Sequence, residues 1–130
     1  MVLGETASGQ ARPVDGARVL VIEDEYYIAD DLRRLLGSAG ARVVGPVGTL
    51  KAAHESLNEG GFDCAILDLN LRGESALPIA DRLSREGKPF AIATGYDSGI
   101  VPERLKTVLR IEKPFDEKAI LPVVEQLSRR

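Results

Sequence analysis

A single cysteine, Cys64, leaves this 130-residue chain unable to close an internal disulfide, so its stability has to come from a packed core. Cys64 opens the apolar run Cys64 to Leu67 and is read as a buried free thiol. No apolar stretch approaches the ~20 residues that a membrane span needs, and no charged-then-apolar leader opens the chain. A cytoplasmic protein with no membrane partner is therefore expected. Charge of neither sign is collected into a block: 17 basic and 20 acidic residues leave a formal charge of -3, spread along the chain. Nothing here would track a polyanion, so direct nucleic-acid binding is not expected. What is present is a hydrophobic content of 44%, enough for the core of one domain.

Residues 1–17 carry three glycines and a proline without an apolar period, and are read as a flexible N-terminal extension ahead of a domain over residues 18–130. From Arg18 onward, short apolar runs alternate with longer segments of helical period, the pattern of parallel strands joined by crossover helices. The runs are Val19 to Ile22, Val43 with Val44, Ala65 to Leu67, Phe90 to Ala93, and Val108 to Ile111. Ile28, Leu32, Leu35, Leu36 and Ala39 mark a first helix, with Gly40 where a left-handed cap belongs. Thr49 is the expected cap of a second helix, Ser75 of a third with Pro78 in its first turn, and Asp116 of the last. Pro122 predicts a kink or a late start in that last helix. A fourth helix over residues 98–106 holds Gly99 and Pro102 and is expected to be short or mobile. The fold class is α/β: a doubly wound, five-stranded parallel sheet with helices on both faces.

In such a sheet the functional crevice lies at the carboxyl ends of the strands. The residues there are Glu23 and Asp24 after the first strand, Asp68 at the end of the third, Thr94 after the fourth and Lys113 after the fifth. Clustered carboxylates hold their protons unless a cation is close, so the set implies a metal. Oxygen ligands without histidine or cysteine point to a hard ion, and Mg2+ is the usual choice where phosphate oxygens complete its octahedron. Asp68 ends a fully apolar strand, and a carboxylate so placed can attack phosphorus. Transfer then needs charge neutralisation from a cation held by Asp24 and Asp68 on one side and from Lys113 on the other. Thr94 would donate a hydrogen bond to a phosphoryl oxygen.

The stretches RVLVIEDE at residues 18–25, DCAILDLNLRGESAL at 63–77, AIATGYD at 91–97 and EKPFDEKAI at 112–120 resemble the receiver domain of two-component response regulators, from about Arg18 to the C-terminus. The separation of 44 residues between Asp24 and Asp68 suits that family. The resemblance implies a flavodoxin-like (βα)5 fold with strand order 2-1-3-4-5. It implies Asp68 as the phosphoacceptor, Glu23 and Asp24 as metal-binding acids, and the Asn70 backbone carbonyl as a further metal ligand. Thr94 becomes the switch hydroxyl, and Lys113 pairs with the phosphate ahead of a cis bond to Pro114. A sensor histidine kinase is the implied phosphoryl donor, with a histidine phosphotransfer protein or another downstream protein as further partner. Catalysis would be confined to the chain's own phosphorylation and dephosphorylation.

The sequence departs from the family pattern at three places. Glu23 stands where aspartate is more usual, and its extra methylene suggests a contact with the metal through water. Arg110 occupies the fifth-strand position of the aromatic residue that swings inward on activation in many receivers. Thr94 and Lys113 are only 19 residues apart, in keeping with a reduced fourth helix. These features, with Pro89-Phe90-Ala91-Ile92-Ala93-Thr94-Gly95-Tyr96, resemble a subgroup named for a Phe-Ala-Thr-Gly-Tyr stretch, many of whose members are single domains in stress signalling. Ile92 stands where the motif has phenylalanine, and Tyr96 is a candidate for the missing aromatic role.

Other readings of the same residues are weaker. A magnesium-dependent phosphatase with an aspartyl-phosphate intermediate usually has a second acid two residues after its nucleophile, where this chain has Asn70. A flavin module would find its cofactor phosphate repelled by Glu23-Asp24-Glu25. An unphosphorylated, partner-binding receiver has no need of the complete active set. His54, on the second helix away from the acids, is expected to be an exposed polar residue, and Tyr26 and Tyr27 are expected either to pack partly into the core or to contact a partner. The chain is expected to act as a stand-alone domain, passing its signal by protein contact, by phosphorelay or as a phosphate sink.

Overall fold

In the computed structural model, residues 14–95 and 101–129 are described. The chain alternates β1 (Arg18–Ile22), α1 (Tyr26–Ser38), β2 (Arg42–Val47), α2 (Leu50–Glu59), β3 (Cys64–Asp68), α3 (Leu77–Arg85), β4 (Phe90–Thr94), β5 (Leu109–Glu112) and α4 (Glu117–Ser128). The five strands form one parallel sheet in the order β2-β1-β3-β4-β5. Between β3 and α3 the chain makes a small antiparallel hairpin in which Asn70–Leu71 pairs with Glu74–Ser75.

The central strands are apolar apart from Arg18, Asp68 and Thr94 at their ends because both of their faces are covered, and alternate residues feed opposite halves of the core. Leu20 and Ile22, Ala65 and Leu67, and Phe90 and Ile92 join Ala53 and Leu57 of α2 and Ile79 and Leu83 of α3 on one side. Val19 and Val21, Cys64 and Ile66, and Ala91 and Ala93 join Leu32 and Leu36 of α1 and Ile120 and Val124 of α4 on the other. Each buried valine, leucine, isoleucine or phenylalanine among them contributes about 1.5–3 kcal/mol on burial. Cys64 is buried in the core and outside any disulfide, as its setting predicted.

The helix signals behave mostly as expected. Gly40 takes φ +96 just past α1, Thr49 Oγ1 accepts from Ala52 N–H at 3.1 Å, and Asp116 Oδ1 accepts from Lys118 N–H at 2.9 Å. Ser75 is not the cap of α3: that position falls to Ala76, and Ser75 Oγ accepts instead from Leu77 N–H at 3.2 Å. Pro78 lies in the first turn of α3, where no intrahelical donor is lost. In place of a late start, α4 runs from Glu117 through Ser128 with Pro122 inside it, so only the Lys118 carbonyl loses its helical donor. Of the expected fourth helix, the described part holds a single 3-10 turn, Glu103–Leu105.

The packed chain begins earlier than Arg18. Val14 is buried, Gly16 N–H donates to the Gly40 carbonyl at 2.9 Å, and Ala17 N–H closes a turn on Val14 at 3.0 Å. Residues 14–17, expected to be part of a flexible extension, belong instead to the packed chain. The rest of that segment, residues 1–13, lies outside the described residues.

Candidate phosphoryl and metal site

The parallel register brings the acids together. Ile22 of β1 pairs with Leu67 of β3, so the next residue of each strand, Glu23 and Asp68, emerges at the same edge. Asp68 in turn faces Ala93 of β4, and Thr94 faces Glu112 of β5, which places Thr94 and Lys113 beside the acids. One carboxylate oxygen from each of Glu23, Asp24 and Asp68 falls within 4.8 Å of the others. Glu23 and Asp68 are buried and Asp24 is half-buried.

Lys113 binds this cluster from the β5 side. Its ammonium donates to Asp68 Oδ2 at 2.8 Å and lies 2.8 Å from Glu23 Oε1, though only the Asp68 contact has the alignment of a hydrogen bond. Its own peptide N–H donates to the Thr94 carbonyl at 2.7 Å, locking β5 to β4 at the crevice. Thr94, Gly95, Glu112 and Lys113 line an open depression there. The Lys113–Pro114 bond is cis, in line with the resemblance, and Gly45–Pro46 is a second cis bond.

The electrostatics record a crowded set of acids. Burial pushes the Glu23 carboxyl up to about 7, and the Asp68 charge adds to this, against the lowering effects of the Lys113 contact and of the Glu25 N–H that Glu23 Oε2 accepts at 3.0 Å. Burial works against the Lys113 ammonium, but the hydrogen bond to Asp68, the contact with Glu23 and both negative charges outweigh it, so its net shift is upward. One half-buried lysine does not balance three acids, and Glu23 Oε1 is buried without an aligned hydrogen bond. An all-oxygen donor set short of positive charge fits a hard divalent cation such as Mg2+. Glu23, Asp24 and Asp68 are the side chains that would hold it.

Among the residues singled out in the sequence, Glu23, Asp24, Asp68, Thr94 and Lys113 meet at this edge. Asn70 lies just beyond, with its N–H donating to Asp68 Oδ1 at 2.9 Å and its side-chain Oδ1 accepting from Gly73 N–H at 2.9 Å. Arg110 is exposed on β5, and Tyr96 lies outside the described residues. Tyr26 and Tyr27 are 74% and 81% exposed, an edge-to-face pair with centroids 5.5 Å apart, so core packing does not account for them.

His54 is not the exposed residue expected. It is half-buried, its Nδ1 lies 3.0 Å from Arg82 NH1, and its carbonyl accepts from the same nitrogen at 3.2 Å. Sequence reasoning also missed the Arg72 N–H, which donates to Asp24 Oδ2 at 2.9 Å from a residue at φ 55. The one signal for it was the Arg72–Gly73 pair, a weaker turn marker than Asn-Gly.

The family model of the response regulator receiver domain matches residues 19–125. The chain is 29% identical over 117 residues to the sensory transduction protein LytT of Bacillus cereus, covering 87% of this chain and 48% of LytT. It spans about half the length of the curated relatives it matches. The solution structure of SdrG from Sphingomonas melonis Fr1 superposes with a TM-score of 0.79 at 34% identity, covering 86% of this chain and 96% of SdrG. A BeF3-activated conformation of SdrG, from Pseudomonas melonis Fr1, gives a TM-score of 0.73 at 35% identity over the same shares. Among the described residues no helix is long and apolar enough to cross a membrane.

Proposed function

The chain belongs to the response regulator receiver-domain family of two-component signalling, and on that premise we propose that Asp68 accepts a phosphoryl group from a sensor histidine kinase in a Mg2+-dependent reaction. The observation that carries the reading is Asp68 itself: a carboxylate at the end of a central strand, grouped with Glu23 and Asp24 and bonded to Lys113. An Asp68 oxygen attacks the phosphorus of a phosphohistidine, the phosphorus–nitrogen bond breaks, and the imidazole leaves with its electron pair and takes up a proton. The product is an acyl phosphate on Asp68. Lys113 then exchanges its carboxylate partner for a phosphoryl oxygen, and the Thr94 hydroxyl donates to another. Mg2+, when held by Glu23, Asp24, Asp68 and the Asn70 carbonyl, would supply neutralisation of the charge on the phosphoryl oxygens.

The BeF3-activated form of SdrG supports the transfer of this chemistry to the present chain. The likeness to SdrG over 96% of that chain, together with the stretch from Phe90 to Tyr96, supports a stand-alone regulator of the Phe-Ala-Thr-Gly-Tyr subgroup. That resemblance supports action in the cytoplasm and in stress signalling. The signal passes by protein contact or by phosphorelay to a second histidine protein.

Intact-mass spectrometry after incubation with Mg2+ and acetyl phosphate tests the central claim. Wild type should gain one phosphate that Asp68→Asn does not. A phosphate retained in the variant would refute the assignment. Release of inorganic phosphate from small phosphate esters far beyond one equivalent would favour a phosphatase instead.

A further inference from the structure

The hairpin from Asn70 to Ser75 bonds both aspartates of the acid cluster. Asn70 N–H donates to Asp68 Oδ1 at 2.9 Å, and two residues later Arg72 N–H donates to Asp24 Oδ2, also at 2.9 Å. Asp24 lies just past β1 and Asp68 ends β3, and this one short piece of backbone is bonded to both carboxylates. The reach depends on an unusual conformation. Arg72 is the one described non-glycine residue at positive φ, 55°, and Gly73 follows at 82°. Together they form the two-residue turn that joins Leu71 to Glu74, with both central residues left-handed as tight hairpin turns require. An arginine in that region is disfavoured, and it persists where the surroundings over-determine the backbone. Here those surroundings are on view: the Asn70 side chain holds Gly73 N–H from inside the turn, and Asp24 holds Arg72 N–H from across the crevice.

We infer that this hairpin is a positioning clamp for the cation site. Its two N–H groups orient Asp24 and Asp68 before an ion arrives, and Arg72 acts as a positioning residue through its backbone. Donors fixed on one oxygen of each acid restrict the rotation of both carboxylates and offset part of their mutual repulsion. Cation affinity then depends on a turn whose own residues need not touch the ion. The inference rests on reading Glu23, Asp24 and Asp68 as a Mg2+ site.

The test is calorimetric titration of Mg2+ into wild type, Arg72→Gly and Gly73→Val, with thermal melts of each. Amide hydrogen exchange of metal-free wild type gives an independent readout. A β-branched residue cannot close the turn at φ 82, so Gly73→Val should raise the Mg2+ dissociation constant about tenfold, the usual scale for losing a group that orients metal ligands. Arg72→Gly keeps the N–H and relieves the backbone, so it should bind Mg2+ at least as tightly as wild type. If Gly73→Val does not fold, Asn70→Ala removes the side-chain acceptor from the turn and should show a smaller loss in the same direction. The Arg72 amide should be protected from exchange in the metal-free protein. A folded Gly73→Val that binds Mg2+ like wild type, or an Arg72 amide that exchanges freely, overturns the clamp. If wild type binds no Mg2+ at all, the reading of the acid cluster fails, while the Arg72 amide still decides whether the hairpin holds Asp24.

Discussion

The Lys113 ammonium donates to Asp68 Oδ2 across 45 residues of chain, from the edge strand β5 to the strand at the middle of the sheet. The bond gives Asp68 a countercharge at rest and leaves Lys113 beside the incoming phosphoryl group during transfer. Lys113→Ala is therefore expected to slow phosphorylation of Asp68 by about 10²-fold, the scale of losing one charge-stabilising donor. Time-resolved mass spectrometry with acetyl phosphate measures it. A rate within twofold of wild type, as an order-of-magnitude limit, would remove Lys113 from the mechanism.

The raised Glu23 carboxyl predicts a pH dependence of the metal-free protein. Its ordinary value is 4.5 and its folded value about 7, so between these the folded state binds more protons than the unfolded one. The resulting stabilisation is fully present below pH 4.5 and is lost as pH rises through about 7. Glu23→Gln has no such proton to lose. Thermal melts in chelator should show wild type losing stability relative to Glu23→Gln over that window. Added Mg2+ should stabilise wild type more at pH 7.5 than at pH 5.5, about the upper and lower sides of the transition. Parallel curves for the two proteins would contradict the assignment.

Gly45 sits at φ +90 in β2, at the register irregularity opposite β1. A Cβ there would meet Val47 N at 2.9 Å and the Val21 carbonyl at 3.1 Å, both of them backbone. Gly45→Ala should destabilise the fold by about 1–3 kcal/mol, measured by denaturant unfolding. Because Val47 O accepts Glu23 N–H at 2.9 Å, the variant should also weaken Mg2+ binding. An unchanged midpoint would show that β2 adjusts freely.

Arg82 joins α2 to α3 through Asn58 Oδ1 at 2.6 Å and the two His54 contacts, while its Nε holds Glu86 at 2.7 Å. Its side chain is only 16% exposed, so these bonds are partly shielded from water. Arg82→Ala should cost about 1–3 kcal/mol of stability and leave Asp68 phosphorylation unchanged. Denaturant unfolding and mass spectrometry together check this. A loss of phosphorylation without a loss of stability would show that α3 reports to the acid site.

The five strands, their parallel arrangement and the meeting of Glu23, Asp24, Asp68, Thr94 and Lys113 were all readable in the amino-acid order. The physical reason is that a short apolar run flanked by helical period can be buried only as a covered central strand. In a parallel sheet every such strand ends at the same edge, so its last residues become neighbours whatever their separation in the chain. Burial of Val14 and the link from Arg82 to His54 and Asn58 were not readable. A lone valine in a polar stretch has no period, and bonds between residues 24 and 28 positions apart exist only once two helices pack side by side. The same holds for the hairpin at Arg72 and for the shift of Glu23, because backbone N–H donors and desolvation carry no residue-type signature. Local pattern thus determined which residues stand at the crevice, and tertiary packing alone decided how each carboxylate is turned, bonded and charged.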